Sequence, residues 1–249
     1  MVATASSHEL IYGLGGTCEV LCWLAKSMIS VSLLAKFFGL AFSALLPVIN
    51  PLGSALVFLG LVGEAPAPVI RNLARRIAIS TTLFLIAIEL VGTALLAFFG
   101  ISLPVVQVGG GLVLASMGWS LLNQGASMPH GQSEVGETSM GSLEEKIFYP
   151  FTFPVTAGPG TVVVMLTLSA HASTKGALRS GLAHAGILLA ILVLSVLVYL
   201  CYAHAPKITA RMSPQTAHGI LRIVAFVLLC IGVQIMWNGV ESLLKTVVR

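Results

Sequence analysis

Aspartate is missing from the 249 residues altogether, and nine glutamates carry all of the side-chain acidity. Charged side chains of either sign make up 9% of the chain, against roughly 25% in an ordinary soluble domain. A water-soluble fold with so few charges has nothing with which to cover its surface. Lipid, by contrast, solvates apolar side chains directly, and 57% of this chain is hydrophobic. The net charge of +4 comes from thirteen Lys and Arg scattered singly or in pairs over short connections. No basic stripe forms, which excludes a nucleic-acid partner. The four cysteines, at 18, 22, 201 and 230, give neither a disulfide framework nor a zinc pattern and read as small packing residues. A nucleophile elbow, a P-loop, a His-Glu-x-x-His helix and paired acids are all missing too, so the expectation is a non-enzyme without cofactor or metal.

What is present is a series of apolar runs long enough to cross a bilayer. Six stand out, near 37–61, 78–99, 104–123, 148–170, 181–203 and 217–241. Ahead of them, residues 1–30 form an N-terminal extension with Glu9 and Glu19 but no Lys or Arg before Lys26. That is the wrong charge for a cleaved signal peptide, and an interfacial helix is expected. A Gly- and Ser-rich segment with four glutamates follows the third run, and 126–145 reads as a linker between a first unit, 31–125, and a second, 146–249. Lys and Arg divide evenly between the two sides, so orientation stays open.

The two units repeat a pattern. LPVINPLGSALVFL (46–59) superposes without a gap on FPVTAGPGTVVVML (153–166), pairing Pro47 with Pro154, Gly53 with Gly160 and Ser54 with Thr161. QVGGGLVLASMGWSLLNQG (107–125) matches LRIVAFVLLCIGVQIMWNG (221–239), with Gly118 on Gly232 and Gly125 on Gly239. Each unit thus orders a broken first span, a plain second span and a Gly-rich third. Three spans are an odd number, so the two units must be inverted relative to one another. The fold expected is an all-α polytopic membrane protein of six transmembrane helices, built as two inverted three-helix repeats with broken first helices.

Proline inside a helix removes a backbone hydrogen bond, and in lipid no water replaces it. The breaks at Asn50-Pro51-Leu52-Gly53 and Ala157-Gly158-Pro159-Gly160 therefore belong in the protein interior. A half-helix N-terminus there suits a carboxylate, and half-helix C-termini suit an ammonium. The candidate substrate site is Asn50, Pro51, Gly53, Ser54, Thr156, Gly158, Pro159, Gly160 and Thr161, with a zwitterionic amino acid as its solute.

VINPLGSALVFLGL, FFGISLPVVQVGGGLVL, TAGPGT and RIVAFVLLCIGVQIMWNG together resemble the MarC family of bacterial multi-pass membrane proteins, over about Ala35 to Thr246. The resemblance implies a six-span inner-membrane protein. Some relatives are described as transporters of small neutral amino acids such as alanine, glycine and serine, while others have no established substrate. It also suggests kinship with an amino-acid exporter superfamily built on inverted three-helix repeats. Asn50, Pro51, Gly158, Pro159 and Gly160 carry over from the family's two motifs, and Arg222 falls where its last span begins with an arginine. The N-terminal extension exceeds the family's usual start.

Glu89 is the one acidic side chain well inside a span, where charge is expensive. Coupling of a proton, or binding of an ammonium, stands against a structural pair with Arg222 or a place nearer the interface. His184 reads as a packing histidine, with a proton relay as the other reading. Gln107, Asn123, Gln234 and Asn238 read as interhelical hydrogen-bonders rather than ligands. The function expected is transport of a small neutral amino acid, driven by a proton or sodium if by any ion, with direction and oligomeric state open. A passive channel for small polar solutes, or a non-transporting membrane protein in a stress or antibiotic-response setting, are the alternatives.

Overall fold

A computed structural model describes residues 28, 30–63, 65–123, 147–173, 176–211 and 214–247. The extension up to residue 27, with Cys18 and Cys22, and the linker 126–145 lie outside the described residues. Among the described residues, nine helical elements follow in order: α1 (30–49), α2 (Pro51–Val62), α3 (Ala67–Phe98), α4 (Leu103–Asn123), α5 (Ile147–Thr156), α6 (Pro159–Ala172), α7 (Ala177–Ala203), α8 (Ala205–Arg211) and α9 (Pro214–Val247). No strand occurs among the described residues.

Five of the rods are long and apolar enough to cross a membrane: α1 with α2, α3, α4, α7 and the Gly219–Thr246 part of α9. The bent pair α5 and α6, whose axes diverge by 70°, makes a sixth. This is the all-α polytopic architecture the apolar runs require. α3 starts at Ala67, well before its apolar run at 78, because Arg71, Arg75 and Arg76 sit on exposed positions of its first turns. Hydropathy alone cannot see a polar helix start.

The helix α7 lies at the centre and packs on α2, α3, α6 and α8. Ala183, Ile187, Ala190, Leu194, Val198 and Cys201 recur every three or four residues along it and are buried, the spacing of one helical face. α1 runs alongside it, close enough that a Cβ on Gly186 would meet the Leu34 carbonyl. Phe58 of α2 stacks on Tyr202 at the far end.

The pair α4 and α9 is joined differently. Gly118 and Gly111 on α4 face Ala225 and Gly232 on α9, and Gly239 faces Pro104 and Val108; the small residues of each series are spaced by seven, which keeps them on one side of each helix. A Cβ on Gly232 would lie 2.4 Å from the Ala115 nitrogen, and one on Gly118 would lie 2.6 Å from that of Leu229. The two antiparallel backbones are in direct contact, as small residues permit between membrane helices. α4 in turn leans on α6, where Leu114 occupies the space beside Gly160.

Candidate functional site

The first break is dictated by Pro51. Proline disfavours the right-handed helical region for the residue before it, and asparagine is one of the few side chains that tolerates the left-handed alternative. Asn50 adopts φ 45° and ψ 65°, and it is the one positive-φ residue other than glycine among the described residues. Its Oδ1 then accepts from the Gly53 N–H at 3.2 Å, capping α2. Gly53 must lack a side chain, since a Cβ would lie 2.1 Å from Asn50 Nδ2. Ser54 donates back to the carbonyls of Ile49 (2.6 Å) and Asn50 (2.8 Å). This break satisfies itself: the groups offered to a solute by the sequence pattern are engaged with one another.

The second break is built from a tandem that the sequence reading passed over, Tyr149-Pro150-Phe151-Thr152 and Phe153-Pro154-Val155-Thr156. Each proline leaves the aromatic residue before it extended, at φ −120° for Tyr149 and −126° for Phe153. Both aromatic-proline peptides are cis. Each threonine hydroxyl closes the widened turn by donating five residues back, Thr152 to the Ile147 carbonyl (2.9 Å) and Thr156 to that of Phe151 (2.6 Å). Prolines four apart with a threonine two after each were the signal.

After this tandem, α6 restarts without a cap. Its N-cap is Gly158, which has no side chain to offer, where the first unit has Asn50 three residues before Gly53. Thr161, the counterpart of Ser54, is completely buried, and its Oγ1 has no hydrogen-bond partner among the described residues. One break is closed and the other open. Gly160 backs onto α4, where a Cβ would lie 2.3 Å from Leu114 Cδ2, so its small size serves helix contact. Pro51 is buried and Pro159 exposed.

The two breaks meet at a residue absent from the candidate set, Tyr202 of α7. Its hydroxyl lies 2.8 Å from Thr156 Oγ1 and within interaction range of Ser54. Because the single Thr156 hydrogen goes to the Phe151 carbonyl, Tyr202 donates and Thr156 accepts. Phe58 stacks on the phenol ring, and Phe151 packs edge-on against Phe58. Nothing in an apolar stretch such as LVYLCYAH marks one tyrosine as the meeting point of segments some 50 and 150 residues away.

Glu89 sits elsewhere. It is 2% exposed, and its Oε1 lies 2.6 Å from His184 Nδ1 on α7. Ser169 of α6 donates to the Glu89 main-chain carbonyl at 3.0 Å, while Glu89 Oε2 has no hydrogen-bond partner among the described residues. Arg222, weighed as its partner, is instead on an exposed position of α9. His184 and Tyr202 are eighteen residues apart on one helix, so this polar pair and the hydroxyl junction are about 27 Å apart along α7. α6 links the two, with its open N-terminus at one and Ser169 at the other. Among the described residues no three metal-ligating side chains cluster.

The family model for MarC family integral membrane proteins matches residues 35–244. The inner membrane protein MarC of Salmonella typhimurium (strain LT2) is 29% identical over 220 residues, covering 86% of this chain and 98% of that protein. Inner membrane protein MarC of Citrobacter koseri is 29% identical over 226 residues with the same coverage, and that of Escherichia coli O1:K1 is 27% identical over 220. No solved structure matches. With its apolar rods and these relatives, the chain is a multi-pass inner-membrane protein. It belongs to the MarC family of integral membrane proteins.

Proposed function

We propose that this protein carries a small zwitterionic amino acid, of the size of alanine, glycine or serine, across the inner membrane by alternating access. The observation that carries the reading is the asymmetry between the two breaks. α2 closes its own N-terminus with Asn50 and Ser54, whereas α6 leaves its N-terminus bare, with the Thr161 hydroxyl buried and unmatched on the first turn. Leaving a buried hydroxyl unsatisfied costs about 1–3 kcal/mol. A solute carboxylate at the α6 N-terminus would remove that cost and meet the positive end of the helix dipole. Tyr202, Thr156 and the carbonyls of α5 supply the polar wall opposite.

In this reading the two units are inverted repeats and the two broken rods form the moving element, with their hydroxyls drawn together in an occluded state. Ser54, Thr156 and Thr161 are all buried, which fits such a state. Glu89 and His184 form the coupling site, since a carboxyl and an imidazole sharing a short hydrogen bond hold one proton between them. Buried ionisable pairs within membrane helices commonly serve such relays.

The test is flux of labelled alanine into proteoliposomes under imposed proton or sodium gradients. A carrier gives accelerated tracer entry when the vesicles are preloaded with unlabelled alanine. A pore gives no counterflow, and a non-transporting protein moves no amino acid from a panel of neutral ones; either result overturns the proposal.

A further inference from the structure

We propose that two copies of this chain associate in the membrane through the outward face of α9, with Gln234 and Asn238 of each copy hydrogen-bonding across the contact. α9 packs chiefly on α4, through Ala225, Leu228, Gly232 and Gly239. Its opposite face presents Phe226, Cys230, Val233, Gln234, Trp237 and Asn238, all exposed. Apolar residues on that face need only lipid. The two amides need more.

Their depth follows from the glycine contacts with α4. Gly118 meets Ala225 and Leu229, and Gly232 lies between Gly111 and Ala115, so the middle of α4 lies opposite residue 232. At 1.5 Å per residue, Gln234 is about 3 Å and Asn238 about 9 Å from the middle, inside a hydrocarbon layer of about 30 Å. Gln234 Nε2 donates to Asn238 Oδ1 at 2.9 Å. That single bond leaves Gln234 Oε1, its second N–H and both Asn238 Nδ2 hydrogens without a partner among the described residues. Acyl chains supply none.

A second copy meets the requirement in three ways. Rotation about an axis normal to the membrane places equivalent residues at equal depth. An amide both donates and accepts, so identical side chains pair with each other. Between Arg222 and Glu241 the helix carries no charged residue, so identical faces approach without repulsion, and Glu241 is already paired with Lys245 at 2.6 Å in its own copy. The contact also leaves α7 and the two breaks untouched, so it stands whether or not the chain carries amino acids.

Cys230, one turn from Gln234 on the same face, provides the test. In the full-length protein with Cys18, Cys22 and Cys201 replaced by serine, a short bifunctional maleimide applied to membranes should yield a crosslinked homodimer through Cys230. Moving the cysteine to the exposed side of α7, with Cys230→Ser and Val196→Cys, should yield none. In liposomes, photobleaching of singly labelled protein should show two steps at working dilution. Gln234→Leu with Asn238→Leu should weaken self-association by roughly three- to twenty-fold for each amide lost, in line with interhelical hydrogen bonds in membranes. One-step bleaching at every protein-to-lipid ratio, equal crosslinking from Val196→Cys, dimerisation unmoved by the double leucine variant, or Cys230 crosslinks solely to another protein would each overturn the proposal.

Discussion

Removing the wrong half of a hydroxyl pair should hurt more than removing both halves, and the Tyr202–Thr156 junction is suited to show it. Tyr202→Phe deletes the donor of one hydrogen bond but keeps the ring stacked on Phe58, and Thr156 still donates to the Phe151 carbonyl. The expected cost is about 1 kcal/mol. Thr156→Val removes an acceptor and a donor together, leaving the Phe151 carbonyl without its threonine donor and the buried phenol O–H stranded except toward Ser54. Each stranded group costs about 1–3 kcal/mol, so a loss of about 3 kcal/mol is expected. In the double variant the phenol O–H no longer exists to be stranded, and the loss should fall back to about 2 kcal/mol. Tyr202→Phe thus destabilises the natural chain and rescues the valine variant. Adding Ser54→Ala to the series removes the second hydroxyl to which the phenol can turn, and the rescue should grow. Unfolding of the purified protein by SDS in mixed micelles, followed by helical circular dichroism, reads these differences. Strict additivity of the two single losses would refute the assignment of donor and acceptor at this junction.

At the first break, Asn50→Ala should lose about 1 kcal/mol of capping and add strain from its left-handed backbone, while Asn50→Gly should lose less; a larger loss for glycine than for alanine in the same unfolding assay would contradict the αL cap. Gly160→Ala should depress alanine flux because its methyl meets Leu114, and Leu114→Ala should restore flux by clearing that space, an outcome a solute-contact role for Gly160 would not give. Glu89→Gln keeps a hydrogen-bonding partner for His184 but holds no exchangeable charge, so gradient-driven uptake should fall by tenfold or more, on the order of 1.4 kcal/mol, while counterflow persists; gradient-driven uptake unchanged from the natural protein would remove Glu89 from coupling.

The layers of this protein were legible to different degrees in its sequence, for physical reasons. Apolar runs and intrahelical prolines act locally, so the six spans and the two breaks could be read from consecutive letters. The closing of the first break is also local, yet it depends on the side chain of Asn50 turning toward Gly53, a conformation that a motif does not display. The polar pairs are long-range: Glu89 and His184 are 95 residues apart, and Tyr202 is 46 residues from Thr156. Arg222 was a reasonable counter-ion by charge, but α9 packs on α4 and turns that side chain outward, whereas α7 brings a histidine to Glu89. The glycines were matched as repeats of one another, at 118 and 232, without being seen as contacts. Their spacing of seven shows why they are also facing surfaces of two touching helices.

Because peptide planes rather than side chains meet along α4 and α9, no rotamer change can accommodate sliding between those two rods. A spectroscopic reporter attached at Cys230 would therefore register displacements of Leu114 and the segment around it as if it had been attached to α4 itself. Any gating movement in this membrane protein has to shift that coupled pair as one body or leave it standing still as the reference frame.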